Sequence, residues 1–256
     1  MAAQVGRAKD PLMSRARGFG GLALVGVLLG ATAGRAADAE QASYLLPLPS
    51  PIVAKSAPAS RWVGVLPQQC LAEVARRKLG VTRFRGAAVG VATPVRVTGP
   101  IAGVRFVTPG GKSPFGILDC RLALALADLA ELLKRYDVIE ARLDNMYRPH
   151  AHLPGKKKPS QHSYGLAADL TRFKRADGTE LVIERDFQGA IGEPVCGEGA
   201  HARDGLSNDA VWLRDLICDV ARSAVFHHIL TPNHDQAHHD HFHLDIARGA
   251  RQRIIE

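Results

Sequence analysis

His162 and Asp169 stand seven positions apart across Gly165, and His243 follows from a distant stretch of the chain. Two imidazoles and a carboxylate are a common ligand set for a catalytic divalent ion, and zinc accepts both donor types. Three protein ligands leave a fourth position for water, the arrangement of a hydrolytic site. Gly165 permits the tight return that would bring His162 and Asp169 onto one ion. Ser160 can fix that turn through its hydroxyl, and with no G-x-S-x-G around it a serine nucleophile is set aside. Asp240, three before His243, is placed to take a proton from the attacking water. The expected cofactor is one Zn2+ per chain, held by His162, Asp169 and His243.

These residues need elements to position them. Residues 119–136 carry Leu122, Leu126, Leu129 and Leu133 at helical spacing and read as a core helix. Residues 70–79 read as a shorter helix closed by Gly80, and 209–224 as another. Residues 89–107 are β-branched and broken by Pro94 and Pro100, which predicts short strands and turns. Residues 138–147 and 166–173 read as strands, the latter turning at Ala176-Asp177-Gly178 into a hairpin through 180–184. Strands are also expected at 227–231 and 241–246. The pattern is that of an α+β fold, a small, mostly antiparallel sheet with helices packed on it. A regular strand from His241 onward puts His241 and His243 on one face and Asp240 on the other. Asp240 is then a base only if it lies in the preceding loop. Alternatively, Asp240 orients a histidine and His241 moves the proton.

The chain of 256 residues carries a net charge of +8. Arg7, Lys9, Arg15 and Arg17 precede an apolar run over 18–30, followed by small residues that suit cleavage near Ala33 or Ala36. Residues 1–36 thus read as a secretory signal, too short in its apolar core for a membrane span. A retained anchor is the competing reading. Beyond Ala36 the balance is 28 basic against 24 acidic residues, or +4. That is no nucleic-acid footprint, and an anionic wall polymer would attract it weakly. Prolines scattered over 37–61 suggest an extended linker, leaving 62–256 as the catalytic domain. Lys156-Lys157-Lys158 is a basic loop run, expected to be solvated. Cys70, Cys120, Cys196 and Cys218 form an even set beyond the signal, which predicts two disulfides in an oxidising, periplasmic or otherwise exported, compartment. Three pairings are open; the nearest-neighbour one, Cys70–Cys120 with Cys196–Cys218, is favoured.

The motif S-x-H-x-x-G-x-A-x-D over 160–169, followed by D-H-x-H over 240–243, resembles zinc peptidases that include D-Ala-D-Ala carboxypeptidases and penicillin-insensitive murein endopeptidases. The run 230–245, Leu-Thr-Pro-Asn-His-Asp-Gln-Ala-His-His-Asp-His-Phe-His-Leu-Asp, is closer still to bacterial extensin-like C-terminal domain proteins. The resemblance implies a role for His241 beside the metal, in binding substrate or transition state, and a modest supporting role for His238. It also implies that Arg148, in Tyr147-Arg148-Pro149, faces substrate and stabilises charge. Asn145-Met146 stands where relatives usually carry Ser-Gly, and Tyr147 where extensin-like relatives often carry a cysteine. His150 and His152 are minor candidates for substrate contact, and His227, His228, His234 and His239 are expected to be exposed or structural.

The expected function is that of an exported zinc peptidase cutting peptidoglycan stem peptides or cross-links, a D,D-endopeptidase or D,D-carboxypeptidase. Its partners would be peptidoglycan peptides, with no nucleic acid and no lasting membrane span. A non-catalytic peptidoglycan-binding module that keeps the metal is the alternative. Metal storage by the histidine cluster is a third reading, and it predicts several weakly held ions.

Overall fold

The structure is a computed structural model and describes residues 42–48, 57–250 and 254–256. The expected signal segment, 1–36, lies outside the described residues. The part of the 37–61 stretch that is described is not an extended linker. Ser43–Leu45 forms a 3₁₀ turn whose Tyr44 is fully buried. The Tyr44 amide donates to Asp215 at 2.6 Å and its hydroxyl to the His201 carbonyl at 2.8 Å. The correction has a simple cause: one aromatic ring among the prolines has core to fill. Helix α1 (Pro58–Val63) begins at a proline, whose missing N–H costs nothing in a first turn.

Helix α2 (Pro67–Arg76) ends earlier than expected. Lys78, at φ +52°, makes the left-handed turn, and Gly80 serves a different purpose. A Cβ on Gly80 would sit 2.2 Å from the Gly99 carbonyl carbon, so glycine is required where the two backbones pass. Strands β1 (Val81–Arg83), β2 (Pro94–Val97) and, after β3 (Arg105–Val107), β4 (Ile117–Asp119) follow; β1, β2 and β4 form a small antiparallel sheet. Helix α3 (Cys120–Arg135) carries the leucine stripe, with Leu122, Leu126, Leu129 and Leu133 all fully buried. Asp119 caps it by accepting from the Arg121 amide at 3.0 Å and also pairs with the buried Arg121 guanidinium.

The larger sheet holds the chemistry. Its members are β5 (Val138–Asn145), β6 (Ala167–Arg175), β7 (Glu180–Val182), β8 (His228–Leu230), β9 (Phe242–Asp245) and β10 (Ile254–Ile255), together with β3. Between β7 and β8 come a single helical turn, α4 (Ile183–Asp186), and α5 (Asn208–Ser223). The order is β10-β8-β9-β6-β5-β3; β10 on β8 and β3 on β5 pair parallel, and the rest antiparallel. One edge of β6 is shared by β9 over 167–170 and β7 over 172–174. The fold is α+β, with helices grouped on a mixed, mainly antiparallel sheet.

Both disulfides form in the nearest-neighbour pairing, and among the described residues no cysteine is free. Cys70–Cys120 ties α2 to α3, and Cys196–Cys218 ties a loop to α5. Such bonds persist in oxidising compartments. No helix among the described residues is long and apolar enough to cross a membrane.

Candidate metal centre

His162 lies on a 3₁₀ turn, Gln161–Tyr164, that the chain fixes from both ends. The Ser160 hydroxyl accepts from the His162 amide at 3.3 Å, and Gly165 closes the turn at φ +63°. The Gly165 carbonyl accepts from the Asp119 amide at 2.9 Å, and a Cβ on Gly165 would meet that same nitrogen at 2.9 Å. The capping residue of α3 therefore seats the histidine turn. Asp169 lies on β6 and His243 on β9, where the two are direct cross-strand partners. A distant third strand is not needed: pleat and pairing alone put both side chains on one face.

The three side chains converge. His162 Nε2, Asp169 Oδ1 and His243 Nδ1 are each 3.1 Å from the other two, and all three residues are buried. A tetrahedral ion holding ligands at about 2.0–2.1 Å keeps them about 3.3–3.4 Å apart, so little movement is required.

Each ligand candidate has a partner behind it. His162 Nδ1 faces the Met146 carbonyl at 3.3 Å. A carbonyl only accepts, so the hydrogen sits on Nδ1 and Nε2 presents a lone pair to the site. His243 Nε2 faces Asp245 Oδ2 at 3.4 Å, which leaves Nδ1 for the site. The Asn145 amide donates to Asp169 Oδ2 at 3.1 Å, and Asn145 is the β5 register partner of Asp169. Three electron-rich atoms thus meet at a point, and only positive charge between them makes that favourable. A proton can supply it. Burial opposes charge on His243, but the Asp169 and Asp245 carboxylates raise that ring to about 9. Burial holds His162 below its ordinary value. Asp169 is held well below the carboxylate range, its burial outweighed by the two histidines. A divalent cation suits the same donors, and two imidazoles with one carboxylate favour zinc or a similar borderline metal over calcium or magnesium.

His241 Nε2 stands 3.4 Å from Asp169 Oδ1, and its Nδ1 donates to Asp240 Oδ1 at 2.7 Å. β9 begins at Phe242, so Asp240 lies in the preceding turn, and it reaches the site through His241. His238 is the next ring, its centroid 5.2 Å from that of His241 and 5.9 Å from that of His243. Burial lowers His238 and keeps it neutral. The centre opens into a cavity of about 620 Å³ lined on its loop portion by Arg148, Lys156 and Lys158, and His152 also lines it. Arg148 is exposed and its amide donates to the His162 carbonyl at 3.1 Å. Tyr147 takes no part: it packs on Val91 and Ile117 and donates its hydroxyl to the Val89 carbonyl at 2.9 Å.

The partners behind the ligands had no role in the sequence reading. Asp245 could have been found by alternation, two after His243 on the same strand face. Asn145 and the Met146 carbonyl carried no such signal, because only strand pairing brings them near. The model of one protein family, the extensin-like protein C-terminus, matches residues 68–255. The chain belongs to that family. No curated protein and no solved structure matches the chain. The match to the extensin-like domain spans both disulfides and every residue of the converged centre.

Proposed function

We propose that this extensin-like domain is an exported zinc peptidase acting on the peptide part of peptidoglycan, as a D,D-endopeptidase or D,D-carboxypeptidase. The observation that carries the reading is the meeting of His162 Nε2, Asp169 Oδ1 and His243 Nδ1 at 3.1 Å, beside His241 and at the floor of an open cavity. Zinc held there would polarise a scissile carbonyl and make water acidic enough to attack near neutral pH.

The chain's own residues divide the remaining work. His241 presents Nε2 to the site while Asp240 holds Nδ1, so His241 takes the proton from the attacking water and passes it to the leaving amine. Asp240 orients that ring and balances the charge it acquires. Arg148 stands at the cavity wall, where a guanidinium can hold a peptide carboxylate or the developing oxyanion. The preference for D-alanine comes from the likeness of 160–169 and 240–243 to D-Ala-D-Ala carboxypeptidases and murein endopeptidases. Export is supported by the two disulfides.

The test is digestion of purified cross-linked muropeptides, read by mass. Products with a new amine should appear, vanish with a chelator and return with zinc. Intact muropeptides that remain bound to the loaded protein would establish the non-catalytic binding module instead.

A further inference from the structure

We propose a second transition-metal site, formed by His234, Asp235 and His238, with Glu256 holding His234 from behind. Each of the three offers one ligand atom, and those atoms lie within 4.8 Å of one another. Asp235 is immobilised: its Oδ1 accepts from the amides of Ala237 at 2.9 Å and His238 at 3.1 Å. His238 Nδ1 is 2.6 Å from that same oxygen, and the His234 and His238 rings lie edge to face with centroids 5.2 Å apart.

The Asp235–His238 contact alone is an ordinary hydrogen bond and asks for no metal. His234 changes the balance. Its Nδ1 stands 3.0 Å from Glu256 Oε2, which places the hydrogen on Nδ1 and leaves Nε2 with a lone pair. That lone pair faces Asp235 Oδ2 at 3.6 Å, beyond hydrogen-bond reach and close to the ligand–ligand spacing of a bound ion. A carboxylate behind a ligating imidazole is the usual support of a metal-binding histidine. The backbone holds Glu256 in place, its amide donating to Ile229 at 3.1 Å and its carbonyl accepting from Thr231 at 2.7 Å. An entering ion takes the place of the hydrogen between His238 Nδ1 and Asp235 Oδ1, and the neutral imidazole then carries its one ring hydrogen on Nε2.

The donors name the class of ligand. Two imidazoles and one carboxylate suit Zn2+, Co2+, Ni2+ or Cu2+, and not the hard, oxygen-seeking Ca2+ or Mg2+. The residues are only partly buried, so this site is the weaker of the two. All four residues line the cavity of the first centre, but His234, Asp235 and Glu256 belong to neither its ligands nor their supports.

The proposal does not rest on the peptidase reading, because ions are counted without substrate. Chelator-stripped full-length chain is titrated with Zn2+ and the ions per chain are counted by native mass spectrometry, with circular dichroism as the check on folding. Wild type should take up a second ion at higher zinc. His234→Ala, and separately the more conservative His234→Gln, should lose only that second ion. His239→Ala should retain it, since His239 is exposed and caps the Gln236 carbonyl at 2.9 Å. Asp169→Asn should lose the tight ion and keep the weak one. A wild-type chain that saturates at a single ion overturns the proposal. Retention of the second ion in His234→Ala overturns it as well, as does its equal loss in His239→Ala, the mark of loose histidine-cluster binding.

Discussion

Replacing Asp245 by Asn isolates what stands behind His243, the proposed zinc ligand. Asp245 is buried; one oxygen accepts from His228 Nδ1 at 2.8 Å and the other faces His243 Nε2 at 3.4 Å. Asparagine keeps the shape but has a single acceptor oxygen, so its NH2 must face one of the two histidines. The shorter bond to His228 keeps the oxygen, and the amide turns toward His243 Nε2. That favours the tautomer with the lone pair on Nε2 and the hydrogen on Nδ1, the atom that faces Asp169. Losing the carboxylate behind a ligating histidine costs roughly 10–100-fold in metal affinity, or about 1.4–2.7 kcal/mol. The assay is competition for zinc against a chromophoric chelator, run above the His243 value of about 9 so that proton competition has fallen away. His228→Gln, which leaves the second oxygen of Asp245 to His243, should bind zinc nearly as wild type does. An Asp245→Asn protein that is folded and binds zinc as tightly as wild type would falsify the claim that Asp245 directs the ligating nitrogen.

Zinc at the proposed centre would compete with a proton at His243, bound below about 9 and released above it. Apparent zinc affinity should therefore rise with pH, by about tenfold per unit between neutral and 9, and then level off; a flat profile over that range rules the competition out. Muropeptide turnover should fall by ~10²–10⁴ in His241→Ala, and less in Asp240→Asn, which acts through that ring. The reverse ranking in fully zinc-loaded variants would return the proton transfer to Asp240. Cys70–Cys120 spans 50 residues and Cys196–Cys218 spans 22. In the chain-entropy account their removal costs about 4 and about 3.4 kcal/mol at most. Urea denaturation should rank the two double-alanine variants in that order, and unreduced wild type should label with no thiol reagent even when denatured.

What the sequence made legible was what it encodes locally. The leucine stripe of α3 repeats at a helical period within one segment, and its burial follows from that period alone. The turn from Ser160 to Gly165 is spelled out in six residues, so the seat of His162 could be read before any fold was known. The nearest-neighbour cysteine pairing was favoured among three, but no local pattern encodes it, since Cys70–Cys120 spans 50 residues and four strands. Tyr44 was not legible, because its place beside Asp215 and His201 depends on a helix more than 150 residues later. Nor were the supports of the ligands. Asn145 reaches Asp169 through strand register, Met146 offers a backbone atom that has no sequence identity, and Glu256 meets His234 only because β10 lies against β8. The placing of Asp240 in the turn before β9 also awaited the structure, because periodicity does not mark where that strand begins.

Asp169 and His243 face each other across the β6–β9 ladder, and at the proposed zinc centre this would make ion uptake a form of proofreading. A slip of one residue along that ladder turns every β9 side chain to the opposite face and takes His243 away from the centre. Neither disulfide would register such an error, since Cys70–Cys120 and Cys196–Cys218 join helices and a loop and leave β9 untethered. A population can therefore be fully oxidised, and silent to thiol reagents, yet contain molecules with misthreaded sheets. Zinc content would distinguish the two: on the proposed reading it counts the molecules in which Asp169 and His243, 74 residues apart, have aligned to the residue.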